Sequence, residues 1–518
     1  MPKETPIYGA TETFDFVHGL NVSIIHPIGA FGELITAQKI PQVQIKFPYG
    51  LNSDIVQTLT NNASSTVTAS SGICTVTCAA SANAFSQIRT LDVVRYSPGQ
   101  GSLMQGTCAF TTGVANSSQV FGLGDDEEGF FFGYNGTAYG LLHRAHGELE
   151  MRELTITAGA DAGGGDFVIT MDGTAVTISV NANDTISEVV AAIKAAESTF
   201  GNAGRGWEVN TNDNITITFT SLVAENASGT FSFSDTDSGV TAGTFTQATT
   251  AIEGLAPTDT WIPQADFNRD TIDGQGASGF TVDPTKLNVY EIQSQYLGAG
   301  MIEYSIEDPE TGHFISVHAI KYANTAVIAS LSNPTLHLTI IAKTETGYSG
   351  GALTMKTASM AGFIEGSTVP LNVRFAISNA KTTTGSTPVN ILTIHNREHF
   401  QGTRNKVVVY PDFITVASEA TKTVTIDVIS NPTQVDGTVA MTEINAANSV
   451  VHYDTAGTTV VGGEKILTII LTGAQSKEID LKSLNLNISP KSRLVFVASL
   501  SSGSNSPVSV GITWDERL

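Results

Sequence analysis

The stretch 121–142 reads FGLGDDEEGFFFGYNGTAYGLL. An acidic knuckle (Asp125, Asp126, Glu127, Glu128) precedes an aromatic run (Phe130, Phe131, Phe132, Tyr134), and an Asn135-Gly136 pair then leads into Ala138, Tyr139, Gly140, Leu141 and Leu142. Two β-rich runs joined at Asn-Gly form the strongest short-range hairpin signal a sequence offers. Side chains on a strand alternate between faces, so Phe130 and Phe132 share one face while Phe131 takes the other. An aromatic on each face means that both sides are covered, which puts this hairpin in the middle of a sandwich. The four acids on its shoulder read as a hydrated turn, with cation binding as the rarer alternative. Nothing in the stretch is catalytic in type.

Composition agrees with that picture. The 518 residues exceed one compact domain and suggest about three. Only 14% are charged and 41% are hydrophobic, with 49 Gly, a balance that suits β-sandwiches with uncharged surfaces and many turns. A net charge of −23 argues against nucleic acid as a partner, because phosphate binding relies on Lys and Arg. It argues equally against anionic membrane surfaces. No run approaches the roughly 20 apolar residues of a membrane helix. The start, MPKETPIYGATETFDF, lacks the pattern of a cleaved signal, so the expectation is synthesis and assembly in a cytoplasm, or release by a route other than a cleaved N-terminal signal.

Three cysteines cannot form a closed disulfide framework. Cys74 and Cys78 lie on the strand-like ICTVTC and stand roughly 13 Å apart by rise alone, beyond the about 7 Å limit for a disulfide. With Cys108 they read as small buried apolar residues.

The fold class read from the chain is mainly β: a multi-domain, sandwich or jelly-roll-like protein with a small α+β domain inserted into the first sandwich. Residues 1–50 form an N-terminal arm whose strand-like pieces, 21–27 and 42–48, pair either with the next domain or with a neighbouring subunit. Residues 51–150 together with 255–368 form one split β-sandwich, with strands expected at 65–69, 75–78, 91–96, 103–111 and 119–123 before the hairpin. Those expected after residue 255 are 288–296, 301–306 and 313–322. Residues 151–254 form the inserted domain. Its strands are 154–157, 167–180 and 215–220, and its helix begins with a capping box at Thr185 and Glu188 followed by Ile186, Val189, Val190 and Ile193 at helical spacing. Residues 369–518 form a C-terminal sandwich, with strands at 371–377, 390–394, 406–410, 422–429, 438–441, 465–471, 493–500 and 508–514.

Candidate chemistry is sparse. His395, Glu398 and His399 match an H-x-x-E-H zinc pattern, which needs both histidines on one helical face. Here they sit where a strand meets a loop, so chance is the better reading. His143 and His146 read as surface residues. Asp266, Asn268, Asp270 and Asp273 are a weak calcium candidate, since their glycine comes later than a calcium loop requires. Trp261, Tyr134, Tyr139 and Tyr296 could stack on sugar, against the plainer reading that they fill the core. No nucleophile elbow, P-loop or dinucleotide fingerprint occurs. The reading therefore includes no catalytic residues, no cofactor and no committed metal site.

Several segments resemble a known group. RYSPGQG (95–101), GFFFGYNGTAYGLLHR (129–144), the long run from WIPQADFNRD to VHAIKYAN (261–324) and NPTL (333–336) resemble uncharacterised β-rich virion structural proteins of tailed phages and large DNA viruses. SVVHYDTAGTTVVGGEKILTIIL (449–471) and the closing ITWDERL (512–518) resemble a β-rich module of the same kind. The resemblance skips 151–254 and brings no catalytic residues with it. It implies a non-enzymatic virion component, located on the capsid surface, a fibre or the tail, that acts through assembly contacts. The implied partners are copies of itself, a trimer being the first expectation, and other virion proteins. Two other readings stay open: a host-adsorption protein that binds surface glycan, and a glycan hydrolase on a β scaffold.

Overall fold

A computed structural model describes residues 37–516 except for 212–213, 248–251, 367–372, 384, 420, 438–440, 485 and 502–504. The chain is mainly β and its sheets are antiparallel. At its centre is the hairpin of Gly129–Asn135 and Ala138–Ala145. Asn135 pairs directly with Ala138, so the two-residue loop is Gly136-Thr137 and not Asn135-Gly136. Gly136 takes φ +56°, which glycine reaches without steric cost.

The hairpin lies inside a seven-stranded sheet. Its order is Thr258–Pro263, Ala138–Ala145, Gly129–Asn135, Ser117–Gly124, Leu338–Thr344, Phe85–Thr90 and Val56–Thr60. A six-stranded sheet faces it, ordered Lys39–Lys46, Ser359–Glu365, Ser102–Cys108, Asn288–Ser294, Ile302–Glu307 and Phe314–Ile320. Strands from both sides of residues 151–254 are thus mixed within each sheet. Between the sheets, Phe132 meets Tyr290 at 4.8 Å and Tyr304 at 5.4 Å between ring centroids, with Phe121 and Phe130 in the same core. Lys39–Lys46 pairs with Ser359–Glu365 of its own chain. The 21–27 piece lies outside the described residues, as does most of 438–441.

Residues from Met151 onward build separate sheets around a separate core. One sheet joins Trp207–Thr211, Thr216–Ser221 and Met151–Ala158, and a second joins Thr174–Val180, Gly165–Met171 and Ser232–Asp235. The helix Ile186–Ala195 carries the full capping box at Thr185 and buries Val189, Val190 and Ile193 against Phe167, Trp207 and Phe219. This segment is packed against the seven-stranded sheet and does not project freely from it. Phe131, Val120 and Leu142, on the outer face of the seven-stranded sheet, share a buried cluster with Leu222. The alternation of Phe130, Phe131 and Phe132 therefore splits them between two cores.

The C-terminal part sets a four-stranded sheet (Val373–Thr383, Ser506–Glu516, Tyr410–Ser418, Gln475–Asp480) beside a six-stranded one. Strands Val389–Asn396, Arg493–Leu500 and Thr423–Ser430 form the middle of the latter. Trp514, Phe496, Ile394 and Ile426 fill its core.

Two expected strands moved. The segment expected at 91–96 is replaced by Phe85–Thr90, whose alternating polar residues are all buried because both faces are covered. The strand expected at 406–410 begins only at Tyr410, because Lys406 turns inward to a group of acids. Among the described residues no helix is long and apolar enough to cross a membrane.

Candidate functional site

The acidic knuckle is buried. Asp125, Asp126, Glu127 and Glu128 are 0%, 2%, 6% and 4% exposed, which overturns the hydrated-turn reading. Local geometry builds the turn. Gly124 and Gly129 pair across its base at φ +151° and +150°, and a Cβ on Gly124 would sit 2.4 Å from the Glu128 carbonyl oxygen. The Asp125 N–H donates to the Glu128 carbonyl at 2.9 Å. Asp125 Oδ1 accepts from the backbone N–H groups of Glu127 and Glu128 at 2.9 and 3.2 Å. The turn thus closes on Asp125 Oδ1, which leaves Asp125 Oδ2 and the other three carboxylates for partners elsewhere.

Each carboxylate meets a partner from elsewhere. Asp125 Oδ2 receives Arg404 Nη2 at 2.6 Å and Lys406 Nζ at 3.2 Å. Asp126 Oδ1 receives Arg144 Nη1 at 2.9 Å and also Lys343, and its Oδ2 accepts from the Ala224 N–H at 2.8 Å. Arg144 in turn forks onto Asp259 through two bonds of 2.8 Å. Glu127 lies 3.3 Å from Arg404 and accepts from the Leu149 N–H. Glu128 accepts from the N–H groups of Ser332 and Asn333 at 2.7 and 2.9 Å.

A second group continues the first. Glu208 receives Lys491 Nζ at 2.6 Å and Gln57 Nε2 at 2.7 Å. Lys491 also reaches Glu398 at 2.9 Å, and Glu398 accepts from Thr220 Oγ1 at 2.7 Å. The first sandwich supplies the knuckle, Gln57, Arg144 and Lys343. The middle segment supplies Glu208, Thr220 and Ala224. The C-terminal part supplies Glu398, Arg404, Lys406 and Lys491. All three parts of the chain are bonded through one buried ionic junction.

The electrostatics follow from this crowding. Burial alone would raise the Asp125 carboxyl, but Lys406 and Arg404 hold it well below the usual range. Burial would likewise raise Glu208, yet Lys491 and Arg89 bring it down to about 2. Glu128 goes the other way, because burial outweighs the help of Lys406. Lys406 and Lys491 are raised by their carboxylates despite burial. Removing such charges from water costs several kcal/mol per ion, which close partners offset only when every lone pair is engaged. The arrangement is therefore a specific lock between segments more than a source of net stability.

The residues singled out from the sequence fall elsewhere. Tyr134 and Tyr139 are cross-strand neighbours with ring centroids 5.3 Å apart, each 7% exposed and stacked edge-on against Phe110. They are core, so their assignment as exposed sugar platforms is corrected. Trp261 is half-buried beside the Phe131–Leu222 cluster, at the seam with the middle segment. The calcium candidates do not converge. Asp270 spends both oxygens on the N–H groups of Ile272 and Ser278, Asp273 binds Thr271 and Gln275, Asn268 clasps Ala319, and Asp266 is exposed. Among the described residues no group of three or more His, Cys, Asp or Glu could hold a metal ion.

His395 lies on a strand, paired with His452 and Arg493, while Glu398 turns to Lys491, so the H-x-x-E-H match has no zinc geometry. His143 is buried with Nε2 against the Ser330 carbonyl at 2.8 Å, not on the surface. Cys74, Cys78 and Cys108 are free and buried. The chain matches no known family model and no curated protein.

Proposed function

We propose that this chain is a non-enzymatic structural protein of a virus particle, surface-exposed and acting through contacts with copies of itself and with other particle proteins. The observation that carries this reading is the ionic junction. Buried acids and bases pair across Asp125–Arg404, Asp126–Arg144 and Glu208–Lys491, and link three β-rich parts of the chain. A particle component must keep one shape through assembly, and a lock of this kind serves shape.

The resemblance of 129–144 and 261–324 to virion proteins supports the same reading. The proposal includes the finer architecture: 151–254 as an α+β insertion in the first sandwich, and 369–518 as a jelly-roll-like sandwich. The mixing of strands from 39–145 and 258–365 in shared sheets supports the first point. The expected assembly is a closed homo-oligomer, with a trimer as the first form to test.

Light scattering on the purified chain, together with co-sedimentation with native particles, tests the proposal. An oligomer that co-sediments supports it. A stable monomer absent from particles overturns it.

A further inference from the structure

A cleft of about 610 Å³ opens beside the ionic junction, where the first sandwich, the middle segment and the C-terminal part meet. Its lining inverts the charge of the chain. Arg89, Lys194, Arg404, Lys491 and Arg493 line it against two carboxylates, Glu197 and Glu208, in a protein of net charge −23. Most of these cations are engaged: Arg404 by Asp125, Lys491 by Glu208 and Glu398, and Lys194 by Glu197 at 3.0 Å.

Arg89 differs. It is 6% exposed, and its Nε and Nη2 both donate to one neutral oxygen, Gln57 Oε1, at 2.9 and 2.6 Å. Among the described residues no carboxylate lies within ion-pair distance of it. A buried guanidinium without a direct counter-ion is costly and has donors to spare. Two further lining residues, Asn210 and Thr211, carry a buried Nδ2 and Oγ1 that have no hydrogen-bond partner among the described residues.

We propose that this cleft binds a small oxyanion-bearing polar ligand, an acidic sugar carrying a carboxylate or phosphate, with Arg89 as its counter-ion. The guanidinium fork matches the two oxygens of either group. The volume lies in the range of small-molecule sites. Ser, Thr and Asn side chains make up much of the remaining wall, which suits hydroxyl groups. Among the described residues no Phe, Tyr or Trp lines it, and His337 is its one aromatic ring, so the wall offers a nucleobase little stacking surface.

Calorimetric titration of the full chain with inorganic phosphate, glucuronate, glucose 6-phosphate and neutral glucose is the test. Saturable binding of the two acidic sugars, tighter than glucose and weakened about tenfold or more by Arg89→Gln, is the expected result. Binding of phosphate as tight as glucose 6-phosphate would reduce the site to a bare anion pocket and overturn the sugar assignment. No saturable binding of any anion, or binding unchanged in Arg89→Gln, would overturn the whole proposal. If Arg89→Gln does not fold, crystals of the unaltered chain soaked in glucose 6-phosphate replace it. Density against the Arg89 guanidinium then supports the site, and density only elsewhere overturns it.

Discussion

Asp125 and Arg404, 279 residues apart in sequence, meet at 2.6 Å with neither side chain more than 6% exposed. Their contact fastens the central hairpin of the first sandwich to the C-terminal part. Removing one member of a buried pair leaves the other charge without its counter-ion, typically at about 3–5 kcal/mol. Asp125→Asn and Arg404→Ala should each lower stability by roughly that amount. The double variant should lose clearly less than the sum, since the orphaned charge is then gone. Denaturant unfolding of the four proteins measures this, and strictly additive losses would contradict the lock.

Acid should loosen the chain in two stages. Burial first, and neighbouring arginines next, hold His337 and His395 well below the ordinary histidine value, and His452 falls to about 4. A histidine with a depressed folded pKa takes up its proton more readily when unfolded. Its contribution to stability is therefore full above about 6.5 and is lost as pH falls toward the folded value. Asp125 and Glu208 are depressed carboxylates, so their stabilisation holds above their unfolded values and is lost only below them, for Glu208 toward about 2. Glu128, raised by burial, opposes the trend weakly. The melting temperature should decline from about pH 6.5 to about pH 4 and drop more steeply below. His452→Gln should flatten the upper limb, and a flat profile in the unaltered chain down to pH 4 would refute the histidine assignment.

The hairpin, the capping box at Thr185 and most strands were legible in the sequence because each is written in neighbouring residues: alternation at 130–132, turn glycines, and a Thr and Glu three apart. The junction was not. DDEE beside a turn looks hydrated unless its counter-ions are known, and those lie near residues 144, 343, 404 and 406. One local sign was available. A hairpin covered on both faces leaves its shoulder little access to water, so acids there require cations. Lys406 was hidden for the same reason, since KVVVY at 406–410 is a β-branched run of the kind that builds a strand, while its first residue serves a distant carboxylate.

The thiols should be silent in the native protein. Burial pushes Cys74 and Cys78 up to about 12 and Cys108 well above its ordinary value, so almost no thiolate exists at neutral pH and none of the three is exposed. A thiol reagent at pH 8 should label no cysteine until the first sandwich opens, and then all three together, since all belong to one core. Labelling followed against denaturant should track the global unfolding curve. Prompt labelling of one cysteine in buffer would show that this core opens locally.

The seam between the first sandwich and the middle segment rests on Leu222, 4% exposed among Phe131, Leu142, Val120 and Ile341. Leu222→Ala removes buried methyl groups at a rigid surface, a change that ordinarily costs about 2–5 kcal/mol. The loss should fall on docking more than on either core, because Phe167, Trp207 and Phe219 remain packed within the middle segment and Phe132 and Tyr290 within the sandwich. Limited proteolysis should then release a fragment near 151–254 that the unaltered chain protects, while the ring packing of each core persists in near-ultraviolet dichroism. Loss of both signals together would mean that the middle segment cannot hold its fold without the sheet behind it. An unchanged digestion pattern would mean that the hydrogen bonds from the Ala224 N–H to Asp126 and from Gln57 to Glu208 are enough to hold the seam on their own.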